Sequence, residues 1–260
     1  MQNCLLCKVN IADKRNSHII PKFLCKGLFE KVTPRHSIEI RRNGRNKKIQ
    51  DTPKEDNILC TACEKRLEIL ETMFAKRINK LHKYSDFPTK FKLKDLHKQK
   101  YLECSGINPT AFKLFIYSLV WRTSISKLYQ FEKFKIPKSD EEILRSFLDI
   151  NLKSTHKENL NTFDKINDVP AFHNCFIKPI EKSDESRGIF TAYNYAESSH
   201  IILVVDFAIL FFTNGAKLDL AHKTFSNKQN EKVLVFLGSN DTWNDLNKLV
   251  VTTLFDKKSI

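Results

Sequence analysis

The chain has 260 residues, 41% of them apolar and 11% aromatic, which is enough for a real core and excludes a disordered polyelectrolyte. Its net charge of +14 is uneven: residues 1–100 hold 24 Lys and Arg against 11 Asp and Glu, a net of +13, while residues 101–260 sit near neutrality at +1. The first residues show no signal-peptide pattern, and the most apolar run, Ile201 to Phe212, is about half the roughly 20 residues of a spanning helix and contains Asp206. The expectation is a cytoplasmic protein with no membrane partner.

In chain order, the first feature is Cys4-Leu-Leu-Cys7, matched later by Cys60-Thr-Ala-Cys63. C-x2-C spacing lets neighbouring thiolates take two adjacent corners of a tetrahedral zinc site, and two such pairs make one closed four-thiolate site. A lone C-x2-C is also a redox motif, but no βαβ pattern flanks either pair. Seven cysteines is an odd number for a disulfide framework, so thiols or metal ligands are expected. Cys25, Cys104 and Cys175 are isolated and read as small core residues. A site with four thiolates leaves no position for water, which makes this Zn2+ structural.

Between the pairs lies a basic stretch, Lys31 to Lys54, with eight Lys and Arg against two acidic residues. His36-Ser-Ile-Glu-Ile-Arg41 alternates with period two ahead of Asn43-Gly44, which predicts a hairpin. Arg41, Arg42, Arg45, Lys47 and Lys48 form its densest cationic segment and are the candidate phosphate contacts. The segment has no aromatic residue, so base stacking is not implied.

From Cys63 the pattern turns helical. Leu67, Leu70, Phe74, Ile78 and Leu81 form one face of a long helix that Pro88 must end. A second helix opens with Asn108 as cap and Pro109 at its first position, and runs Thr110 to about Tyr129; Trp121 and Arg122 on it read as core and an ion pair. A third opens at Ser139, where Ser139-Asp-Glu-Glu142 has capping-box form. Residues 64–152 are therefore expected to be mainly helix, and the polar stretch Asn151 to Asp168 a linker.

After residue 168 the texture is β. Ala171 to Ile180, Gly188 to Tyr195, His200 to Phe212 and Val233 to Phe236 are rich in β-branched and aromatic residues, which predicts an antiparallel sheet. Trp243, Leu246, Leu249, Val250 and Leu254 predict a closing helix. The fold class is thus α+β: an N-terminal zinc finger over residues 1–83, a helical region over 84–152, and a β-rich region over 169–260. The near-neutral half suits a protein partner or self-association through residues 101–260.

A first knuckle near the start and a second where a long helix begins is the layout of a treble-clef zinc finger. Ser17-His18-Ile19-Ile20-Pro21 lies between the knuckles, and Asp56-Asn57-Ile58-Leu59 leads into Cys60-x2-Cys63-Glu64. Over residues 4 to about 75 this ordering resembles the HNH endonucleases of the ββα-metal type. The segment from Phe112 to Ser126 and the β region look like the C-terminal part of bacterial proteins that begin with the same finger, a likeness that assigns them no task.

The resemblance implies a metal-dependent hydrolysis of phosphodiester bonds in nucleic acid, taken as double-stranded DNA, in bacterial defence or a mobile element. It places His18 as general base, Asn57 as the central Asn and Glu64 as ligand of a catalytic Mg2+ or Mn2+. The chain departs from the family twice, with Ser17 for a metal-binding acid and Glu64 for the last His. Glu68 and Glu71 share the Glu64 face and offer a second carboxylate, or pair with neighbouring cations. Phosphodiester hydrolysis needs a water nucleophile, a Lewis acid and a base of near-neutral pKa, and a neutral His suits the last role. The second reading is a catalytically inactive zinc-finger protein that binds nucleic acid through Lys31 to Lys54 and a partner through its C-terminal half.

Overall fold

In a computed structural model of the protein, residues 2–26, 28–29, 36–41, 46–180, 189–227 and 232–255 are described. The N-terminal part is a set of short strands wrapped around a turn. Strand β1, Ser17–His18, is followed by the hairpin β2, Ser37–Glu39, and β3, Lys47–Ile49, and then by β4, Lys54–Glu55, which returns to pair with β1. The predicted basic hairpin is present, and its tip, with Arg42 and Arg45, lies outside the described residues. Helix α1, Thr61–Leu81, begins at the second cysteine pair and buries Cys63, Leu67, Leu70, Phe74, Ile78 and Leu81, the face that the spacing predicts.

Residues 64–152 are mainly helix, as expected, but an unexpected hairpin interrupts them. Strands β5, Phe91–Leu96, and β6, Gln99–Cys104, form a hairpin closed by His97-Lys98, whose φ angles of 51° and 68° give a two-residue turn built without Gly or Asn. Helix α2, Pro109–Ile125, follows with its cap as predicted: the Asn108 side chain accepts the Ala111 N–H at 2.9 Å. It is buried from Thr110 to Ser124 on every side and forms the centre of the molecule.

Helix α3, Lys138–Asn151, starts one residue early, and the Ser139 box is not formed. Its acids serve tertiary partners instead: Asp140 accepts the Asn214 backbone N–H at 3.0 Å and its side chain at 2.6 Å, and Glu141 accepts the Ser124 hydroxyl at 2.7 Å. The expected linker contains helix α4, His156–Phe163, capped by Thr155, which accepts the Glu158 N–H at 3.2 Å and donates to its carboxylate at 2.7 Å. The Thr155-x-x-Glu158 capping box was the signal for it.

Strands β7, His173–Pro179, β8, Ile189–Ala196, β9, Ser199–Val205, and β10, Phe207–Phe212, come next. The run from His200 to Phe212 is thus two strands, joined at Val205-Asp206 with Val205 at φ 54°. A run buried on both faces gives no periodic sign of reversal, and after His200 its one polar mark was Asp206. Helix α5, Leu220–Phe225, strand β11, Val233–Gly238, and helix α6, Asn240–Phe255, complete the chain.

The architecture is α+β, with a seven-stranded sheet in the order β5-β6-β11-β7-β10-β9-β8. The sheet is mixed, not antiparallel throughout: β11 runs parallel to β7, with Val235 opposite Phe176. One face packs on α2, where Phe112 meets Phe176 edge-on at 5.7 Å and Tyr117 meets Phe211 at 6.0 Å. The other face, with Ile177, Tyr193, Ile201 and Leu203, is covered by Trp243, Leu246 and Leu249 of α6. A single cluster of buried side chains runs from Cys4 through α1 and α2 to Leu237. Among the described residues, no helix is long and apolar enough to cross a membrane.

Candidate metal centre and the cleft beside it

Cys4 and Cys7 flank a tight turn in which Lys8 adopts φ 59° and its N–H donates to the Cys4 carbonyl at 2.9 Å, while the Cys4 N–H donates to Asn10 O at 2.7 Å. Cys60 is the residue before α1 and Cys63 lies in its first turn. The four Sγ atoms lie within 4.8 Å of one another, and Cys7 Sγ is 4.0 Å from Cys60 Sγ. Zn–S bonds of about 2.3 Å put tetrahedral sulfurs about 3.8 Å apart, so the cluster is the size of a zinc site. Among the described residues, it is the one group of three or more candidate ligands gathered this closely.

Charge favours a cation there. Cys4 is drawn down to about 4, first by its hydrogen bond with Cys63, and Cys63 is pushed up first by the same contact, so the two hold one proton between them that a bound cation would displace. Arg66 anchors the cluster from outside, its Nη2 donating to Cys63 Sγ at 3.0 Å and to Asp149 Oδ1 of α3 at 2.7 Å. Cys25, Cys104 and Cys175 are buried elsewhere, and burial pushes each thiol up to about 12, so all three stay protonated core residues.

His18 is half-buried on β1, paired with Lys54 of β4. Its ring is held below the ordinary histidine range, first by burial, then by Lys54, with Arg122 and Lys22 acting the same way and Asp51 opposing. It is therefore neutral at pH 7, and its Nε2 is buried with no hydrogen-bond partner among the described residues. Its neighbour Ser17 is fully buried on the opposite side of the strand, its Oγ without a partner among the described residues, so it does not share the side of β1 that carries His18.

The side chain that holds His18 comes from α2. Arg122, 1% exposed, donates from Nη1 to the His18 carbonyl at 2.8 Å and pairs with Glu71 Oε1 at 2.6 Å; its Nε donates to Ser118 O at 3.2 Å. Burial pushes the Glu71 carboxyl up, against the pull of Arg122, and Glu64 and Glu68 push it further. Glu64 Oε2 and Arg122 Nη2 are, like His18 Nε2, buried without a partner among the described residues. The structure thus brings His18, Glu71 and Arg122 together, with Glu64 two turns back along α1. Glu71 is engaged by Arg122 and is not free to ligate a metal.

Asn57 stands apart. It is exposed, at φ 58°, and uses its backbone to brace the turn before α1: its N–H donates to Lys14 O at 2.8 Å and its carbonyl accepts Gln2 Nε2. Arg41 is also tied internally, to Glu39 and over the Tyr129 ring at 5.4 Å. Lys47 and Lys48 are exposed, and with His36, Ile49, Gln50 and Asp51 they line a cleft of about 510 Å³ whose Asp51 end acts on His18.

The β5–β6 hairpin adds a cationic surface that sequence reading missed. Lys92, Lys94, Lys98 and Lys100 are all exposed there. Lys92 and Lys94 lie on one face, and Glu103 there is held below its ordinary range first by its hydrogen bond with Lys232 and then by the charge of Lys232, Lys94 and Lys92. Comparison of the chain with models of known protein families, with curated proteins and with solved structures finds no match.

Proposed function

We propose that the protein is a metal-dependent endonuclease of the HNH type, hydrolysing phosphodiester bonds of double-stranded DNA on a zinc-stapled treble-clef finger. The carrying observation is His18: a neutral imidazole with an unpartnered Nε2, under the charge of Lys54, Arg122 and Lys22, and acted on by Asp51, which also lines the neighbouring Lys47–Lys48 cleft. A neutral imidazole there can take a proton from water as it attacks phosphorus, and the surrounding cations favour a phosphate over other substrates. The cysteine cluster fits a structural Zn2+ that fixes the start of α1 against the N-terminal turn.

Glu64 is the candidate ligand for a catalytic Mg2+ or Mn2+. Its buried oxygen with no partner is a hard donor, and such ions are commonly held by one or two carboxylates, the rest of the shell being water and substrate phosphate. Bound there, the ion would supply charge for the phosphorane and the leaving oxygen. Lys47, Lys48 and the lysines of β5–β6 are the groups offered to the DNA backbone, with Arg41 spent on Glu39 and Tyr129.

Nicking of supercoiled plasmid across a panel of divalent ions tests the reading. Wild type is expected to nick with Mg2+ or Mn2+, and His18→Ala and Glu64→Ala to lose activity while keeping zinc and fold. Salt-sensitive DNA binding with no nicking under any ion would replace this reading with that of a non-catalytic zinc-finger protein.

A further inference from the structure

Helix α2 is buried all round, and an apolar side chain at position 122 would pack there without the desolvation cost that a guanidinium carries. The cost is met only in part: Nε and Nη1 have acceptors, and Nη2 has none among the described residues. What the guanidinium touches is one group from each of three elements, Ser118 O on α2, His18 O on β1 and Glu71 on α1. Strand β1 is two residues long and, among the described residues, its one ladder partner is β4; the Ile19 N–H bonds Pro53 O at 3.2 Å beyond it, and the Arg122 guanidinium holds the His18 carbonyl from the side of α2.

We propose, resting on the nuclease reading, that Arg122 is a positioning residue for the hydrolysis: held by Glu71, it fixes His18 through the main-chain carbonyl and makes the central helix part of the active site. The fork geometry is what allows this, since one planar group serves a carbonyl and a carboxylate together and a lysine ammonium has no such fork. The charge adds a second effect on the imidazole, alongside Lys54 and Lys22 and against Asp51. A displacement of about 1 Å at a catalytic group is worth about 100-fold in rate, which sets the size of the effect expected.

Two variants of the whole protein test this. Arg122→Lys keeps the charge beside Glu71 and removes the fork; Arg122→Met with Glu71→Leu removes both charges at similar volume, so neither leaves a buried charge alone. Melting temperature and zinc content monitor the fold. Both variants are expected to lose about 100-fold in kcat for nicking with KM unchanged. In the double variant the His18 Cε1–H resonance should titrate at higher pH than in wild type, because Arg122 is among the charges that hold the imidazole down, while Glu71 is not and burial pushes its carboxyl toward the neutral form. Wild-type kcat in either folded variant, or an unmoved His18 titration in the double variant, overturns the proposal. Should wild type fail to nick at all, the nuclease reading falls, and the His18 titration still decides whether Arg122 governs that residue.

Discussion

In the proposed nuclease His18 must be neutral to accept a proton, and its surroundings favour that form. Burial, Lys54, Arg122 and Lys22 all disfavour the imidazolium, and Asp51 alone opposes them. The native pKa therefore lies below the unfolded value of about 6.5, and the acid limb of the nicking rate against pH should fall below 6.5, with activity flat through pH 7. The same shift has a stability consequence. Below pH 6.5 the unfolded chain binds a proton at this site before the folded one does, so the contribution of His18 to stability is present above 6.5 and is lost as pH falls through that window. An acid limb above 6.5 would contradict the environment described. His18→Ala is expected to slow nicking by about 10²- to 10⁴-fold. His18 was legible in the sequence because its neighbours in the chain form a motif. Arg122 was not legible as a site residue, because its partners lie 104 and 51 positions away and only folding joins them.

Among the elements, the cysteine turn and the first turn of α1 are joined by four sulfurs whose spacing suits a metal. Purified protein is expected to carry about one zinc per chain, and chelation or Cys63→Ser to lower its melting temperature sharply, as seen by circular dichroism with metal analysis. Fully folded protein without zinc would remove the basis of the finger. The β5–β6 hairpin went unread because its turn, His97-Lys98, lacks the residues that usually mark one, and helix α4 was hidden in a polar stretch whose only sign was Thr155-x-x-Glu158. The cysteine pairs, the basic hairpin, α1 and α2 were legible because spacing and caps are local properties. The hairpin lysines carry their own prediction. Replacing Lys92, Lys94, Lys98 and Lys100 by Gln should flatten the slope of log K against log salt by about 0.9 for each phosphate no longer neutralised, with nicking at saturating DNA unchanged. An unchanged slope would show that DNA binds elsewhere.

At the scale of the molecule, the cysteine-bearing N-terminal region does not end where its motifs end. The apolar face of α1 packs on α2: Phe74 stacks on Phe115 at 4.7 Å and meets Phe112 at 6.3 Å, and His82 lies against Phe207 of the sheet at 5.0 Å. Arg66 ties the cysteine cluster to α3, and Arg122 ties β1 to α2. A chain cut after residue 83 would strip Phe74 of its α2 partners Phe112 and Phe115, and the burial of the apolar face of α1 is most of what makes it a helix in water. The fragment 1–83 with zinc is therefore expected to show no cooperative thermal transition, although it holds every motif of the finger, and to be inactive on plasmid. Phe74→Ala in the whole protein should cost about 3–5 kcal/mol and lower nicking only as far as it unfolds the protein, since its ring contacts are with Phe112 and Phe115 in the core. A fragment 1–83 that melts cooperatively and nicks DNA would mean that the central helix contributes neither to the stability nor to the chemistry of the finger, against the contacts of Phe74 and Arg122 alike.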